Sequence, residues 1–142
     1  MKQWRSRAVM IVASMSVAVV LSGCAVLGGA VVAAGVGTYY WAKGELTRVY
    51  AANYDSTWQA VLDTGKELDL RLDRYTRDKL GGEIAFIRGD GEEVVVRVRS
   101  LKEDLTEIGV RIGTFGDRVA SERIHYTVYR TLKDKGQIKT GA

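Results

Sequence analysis

Between Gly44 and Leu132 the apolar residues follow two periods, and the switches between them mark out the elements. In the stretch Glu45 to Tyr50, Leu46 falls on one side and Thr47 and Val49 on the other, as in a strand. Asp55 is then placed as a helix N-cap, accepting from the amides of Thr57 or Trp58. Trp58, Val61, Leu62, Gly65 and Leu68 follow at helical spacing and predict a helix over residues 56–69. Gly65 lies on its apolar side, where a missing side chain permits close packing on a sheet at about 1 kcal/mol of helix propensity. Leu70 and Leu72 next alternate with Arg71 and Asp73, giving a strand that runs to Thr76 and the polar turn Arg77-Asp78-Lys79.

Three further strands carry one-sided apolar sets: Ile84 and Phe86; Val94, Val96 and Val98; Ile108, Val110 and Ile112. Gly89-Asp90-Gly91 suits a three-residue hairpin, because these residues tolerate positive φ. Pairing Phe86 with Val94 then also pairs Ile84 with Val96. Across Lys102-Glu103-Asp104, pairing Leu101 with Leu105 brings Val98 to Ile108, Val96 to Val110 and Val94 to Ile112, so both hairpins agree in phase. The same register sets Glu83 opposite Arg97 and Arg99 opposite Glu107 on the other face. This face reads as a solvated outer surface, with an anion-binding patch of Arg97, Arg99 and Arg111 as the minority alternative.

Gly113-Thr114-Phe115-Gly116-Asp117 interrupts the last strand. Asp117 is placed as the cap of a helix in which Ala120, Ile124, Val128 and Leu132 recur every four residues, with Phe115 plugging the sheet edge or helix start. The predicted order is β-α-β-β-β-β-α. This is an α+β two-layer sandwich, a mainly antiparallel sheet with both helices on one face.

The first forty residues follow a different pattern. Lys2, Arg5 and Arg7 form a charged n-region, and residues 8–20 an apolar run too short to span a bilayer comfortably. Leu21-Ser22-Gly23-Cys24 closes it and resembles the lipobox of bacterial lipoproteins. That resemblance implies cleavage between Gly23 and Cys24, a thioether-linked diacylglycerol on Cys24 and acylation of its new amine. Residues 1–23 are then a signal peptide, and the anchor address is membrane. An aspartate after the cysteine often retains such proteins in the inner membrane. Ala25 therefore implies outer-membrane delivery, on the periplasmic side, with the inner membrane as the alternative.

Residues 24–43 read as a Gly/Ala-rich tether. Ala25, Gly29, Ala33 and Gly37 recur every four residues, a small-xxx-small stripe that suits a membrane helix or self-association. The other reading is a flexible link, since glycine weakens an unpartnered helix. The domain proper is expected over residues 44–132, with residues 133–142 a polar, disordered tail.

Composition narrows the classes. The 142 residues carry 21 Lys and Arg against 17 Asp and Glu, but without the signal's three basic residues 18 basic remain, so the support for a nucleic-acid role is lost. The one cysteine is taken by lipid, which leaves the domain to its apolar core rather than a disulfide.

The lipobox, the Gly/Ala tether, Tyr54-Asp55-Ser56-Thr57-Trp58 and the ending Val110-Arg111-Ile112-Gly113-Thr114-Phe115-Gly116-Asp117 resemble a family of small bacterial lipoproteins carrying a domain of unknown function. The resemblance covers nearly all of the mature chain. It implies fold and address and brings no established activity.

Candidate chemistry is sparse. His125, the one histidine, has Ser121 and Tyr129 at helical spacing, but no carboxylate is forced into the orienting place, so a partly exposed surface histidine is expected rather than catalysis. No metal pattern is present, and Asp90-Gly91-Glu92-Glu93 lacks the spacing of a calcium loop. Gly113-Thr114-Phe115-Gly116 lacks the lysine of a phosphate loop. No cofactor is expected beyond the covalent lipid. The expected function is a non-enzymatic, lipid-anchored envelope protein that binds a partner protein or envelope component. The alternatives are a hydrophobic-ligand carrier and a membrane-associated oligomer built through the tether.

Overall fold

The alternation along the middle of the chain becomes one antiparallel sheet, and the two helical periods become the layer that covers it. The computed structural model describes residues 36–139. Its elements are β1 (Tyr39–Ala42), β2 (Glu45–Tyr50), α1 (Tyr54–Glu67), β3 (Arg71–Arg77), β4 (Gly81–Ile87), β5 (Glu93–Lys102), β6 (Leu105–Ile112) and α2 (Arg118–Asp134). Among the described residues the six strands form one open sheet in the order β1-β2-β6-β5-β4-β3, every neighbour antiparallel. The α+β class is as expected.

The expected pairings appear: Phe86 faces Val94 and Ile84 faces Val96, while Val94, Val96 and Val98 face Ile112, Val110 and Ile108. These side chains are buried, together with Trp58 and Val61 of α1 and Ile124, Val128 and Leu132 of α2. Burying each large apolar side chain is worth about 1.5–3 kcal/mol, so a one-residue slip that turned such a set to solvent is strongly opposed. Gly65 lies against Phe86, whose ring occupies the space a β-carbon would take.

Several local expectations are corrected. An additional strand, β1, lies within the stretch read as tether. Tyr39-Tyr40-Trp41 pairs with β2 across Lys43-Gly44, two residues at positive φ (50° and 77°), the geometry that a tight hairpin needs. A lysine in the first of these positions is a weak turn signal, which hid the hairpin. Helix α1 is capped by Asn53, whose side chain accepts from the Ser56 amide at 2.8 Å, and not by Asp55, which lies in the first turn. Leu101 does not face Leu105: a bulge between Ser100 and Lys102 absorbs it, and Lys102 pairs with Leu105.

The β6–α2 loop seats its backbone on the β1–β2 turn. A β-carbon on Gly44 would meet the Phe115 carbonyl, and one on Gly116 the Gly44 backbone. Phe115 itself plugs nothing, because that contact uses its backbone and leaves the ring 90% exposed. At the other end, the stretch read as a disordered tail is structured as far as Lys139. Helix α2 continues to Asp134, Ile138 packs against the core, and the Lys139 amide donates to the Ala51 carbonyl at 2.7 Å.

Candidate functional site

Cys24, Gly23, Ala25, Gly29 and Ala33 lie outside the described residues, as do most of the tether and the whole signal. Gly37 is described. It sits in a turn at φ 89°, its amide donating to the Val49 carbonyl at 2.9 Å, immediately before β1. Among the described residues no helix is long and apolar enough to cross a membrane.

Beside Gly37 the sheet edge holds a polar cluster. Strand alternation turns Leu46, Arg48 and Tyr50 of β2 toward the helices, antiparallel pairing puts Tyr39 of β1 opposite Arg48, and α2 brings in His125 and Tyr129. His125 is fully buried, which corrects the expected surface position. Its Nε2 lies 2.9 Å from the Leu46 carbonyl oxygen, and a carbonyl only accepts, so Nε2 carries the proton. Nδ1 then accepts from the Tyr50 hydroxyl at 2.8 Å. Burial lowers the His125 pKa from 6.5 to about 4; the Leu46 hydrogen bond opposes this, and the Arg48 charge adds to it. Burial also pushes the Tyr50 phenol well above its usual range.

Arg48 is half-buried among three tyrosines. Its guanidinium carbon stands 5.0 Å from the centre of the Tyr39 ring, 5.1 Å from Tyr50 and 5.0 Å from Tyr129. Nη1 donates to the Tyr39 hydroxyl at 3.1 Å, while Nε is buried without a partner. Arg48 forms no ion pair among the described residues. A charged residue on the inward side of β2, between Leu46 and Tyr50, was the signal in the sequence that this cluster existed.

The Ser121–His125 pair does not form a catalytic arrangement. Ser121 Oγ is buried without a hydrogen-bond partner, and both His125 nitrogens are committed to Tyr50 and Leu46. Among the described residues no three His, Cys, Asp or Glu side chains gather to hold a metal.

The outer sheet face is largely self-neutralised. Arg97 bonds Glu45 and Glu83, Arg99 bonds Glu107 at 2.7 Å, and Arg74 bonds Glu93 at 2.7 Å. Arg111 donates to the Thr114 carbonyl at 2.6 Å. Two of the three arginines of the expected anion patch thus already have carboxylates. On the helix side, a 250 Å³ groove opens between the end of α1 and the start of α2. Its apolar lining is Leu68, Leu70, Val94, Ile112, Ala120 and Ile124, and two arginines, Arg88 and Arg123, stand beside two carboxylates, Glu67 and Asp69.

No curated protein matches this chain. Residues 7–131 match the model of a family described as a protein of unknown function, DUF3568, and since that span takes in most of the 142 residues, the chain belongs to that family.

Proposed function

We propose that the chain is a bacterial envelope lipoprotein, cleaved before Cys24 and held by diacylglycerol and an N-acyl chain, which presents its α+β domain in the periplasm to bind a partner protein or envelope component without catalysis. The observation that carries this reading is Leu21-Ser22-Gly23-Cys24 behind a basic and then apolar N-terminus. Small residues at Ser22 and Gly23 suit a peptidase cleft, and the thiol is the nucleophile that takes the lipid. Ala25 supports the outer membrane as destination. Binding is favoured over catalysis because the one histidine spends both nitrogens inside the core.

The experiment is intact mass and membrane fractionation of the native product beside a Cys24→Ser variant. A mature species beginning at Cys24 with acyl mass, lost in the variant, is the expected result. An unlipidated species retaining residues 1–23 overturns the reading.

A second reading, a carrier of a lipid or other hydrophobic ligand, draws on the α1–α2 groove with its apolar lining. Mass spectrometry of lipid extracted from the purified protein tests it, and an empty extract removes it.

A further inference from the structure

We propose that Arg48 and Tyr39 form a site for the phosphate of a membrane phospholipid, which seats the β1 edge of the domain on the bilayer. The proposal rests on the lipoprotein reading for its nearness to a membrane and on the geometry of the β1–β2 edge for its chemistry.

A half-buried cation needs an anion or a full set of acceptors. Seven arginines of the domain, including Arg77, Arg97 and Arg130, have carboxylate partners. Arg48 has tyrosine faces and the hydroxyl oxygens of Tyr39 and Tyr50 instead. The rings hold the guanidinium in place, and among the described residues no carboxylate pairs with it. Nε is buried and Nη1 already serves Tyr39, so Nη2 is the nitrogen left to donate a charge-assisted hydrogen bond to a phosphate oxygen.

Tyr39 completes the site. Its hydroxyl oxygen accepts from Arg48, and its own proton has no acceptor among the described residues, so it is available to a phosphate oxygen. Gly37 stands beside Arg48 Nη2: a β-carbon added there would lie 3.5 Å from that nitrogen, in ordinary contact, so a glycine at this position keeps side-chain bulk away from it.

The position fits a lipid surface. Val36, Tyr39 and Tyr40 are exposed along the sheet edge, at 56%, 38% and 49%. Amphipathic aromatic rings favour the headgroup depth of a bilayer. Twelve residue steps separate Cys24 from Val36, a reach of at most about 43 Å, so lipid on Cys24 would tether this edge within that distance of the bilayer.

Hydrogen exchange of the full chain tests the site, comparing phosphatidylglycerol nanodiscs with dodecyl maltoside micelles, which carry no phosphate. The expected result is exchange of residues 36–42 slowed by about fivefold in nanodiscs, the contribution of one basic residue at an anionic surface. Arg48→Gln and Tyr39→Phe lose most of that protection while β5 exchange stays as in the parent. Tyr39→Phe keeps the ring and decides the matter if Arg48→Gln fails to fold. Three results overturn the proposal: no protection in the parent chain, undiminished protection in the folded variants, or equal protection in maltoside with inorganic phosphate, which would assign a soluble anion. Intact mass of the same samples judges the anchor separately. An unacylated Cys24 sinks the lipoprotein reading, and the difference between parent and variant in nanodiscs still decides the site.

Discussion

Tyr50 and His125, far apart in the chain, share a buried hydrogen bond of 2.8 Å that joins β2 to α2, and the burial keeps the imidazole neutral. Because burial lowers the folded pKa of His125 from 6.5 to about 4, the unfolded chain binds the extra proton first as pH falls. Stability is therefore full above the unfolded value, declines between pH 6.5 and about 4, and stops responding to this group below that; the loss amounts to about 3 kcal/mol. Urea midpoints measured across that range check the slope. His125→Phe should flatten it, and a slope unchanged by the substitution would assign the pH dependence to other groups.

Gly65 and Phe86 make a second close relationship. Gly65→Ala gains helix propensity of about 1 kcal/mol but drives a methyl into a buried ring, and overpacking of this kind costs about 1–3 kcal/mol. The net expectation is destabilisation. Gly65→Ala with Phe86→Leu should recover part of the loss relative to Phe86→Leu alone, and a double-mutant cycle with no coupling would contradict the contact.

The start of α1 separates two roles that neighbouring residues divide. Asn53→Ala removes the side chain that accepts from the Ser56 amide and should cost about 1 kcal/mol. Asp55→Asn removes an exposed ion pair with Arg77 and a first-turn charge, worth about 0.5 kcal/mol. Chemical denaturation of the two variants gives the ranking, and the reverse order would return the cap to Asp55.

Gly116→Ala places a β-carbon into the Gly44 backbone at φ 83°, where the atoms it meets are backbone rather than a flexible side chain that could yield. A loss of more than about 2 kcal/mol is expected. Gly89→Ala is the control, since a β-carbon there meets nothing within 4 Å, and its effect should stay within about 0.5 kcal/mol. Thermal unfolding of both variants reads the contrast.

The β4–β5 hairpin and most of β5–β6 were legible in advance because strand side chains alternate with period two, so that Phe86 with Val94 and Val98 with Ile108 leave only one phase that buries every apolar member. The bulge at Leu101 was not legible, since one extra residue changes the turn without changing that phase. β1 carries a weak signal because Lys43-Gly44 is an uncommon pair for its turn, and the Asn53 cap is obscured by Asp55, which offers a second capping side chain two residues on.

What the chain determined by itself are features settled within a few residues: the strands other than β1, the two helices, and the registers across short turns. Tertiary structure alone decided the fate of His125 and Arg48. Helical spacing placed His125 beside Ser121 and Tyr129, yet its partners are Tyr50 and the Leu46 carbonyl, which reach it only when β2 docks under α2. Arg48 likewise acquires its tyrosine surround from three separate elements. Burial and charge compensation depend on everything packed around a group, and that is a property of the assembled fold rather than of any local run of residues.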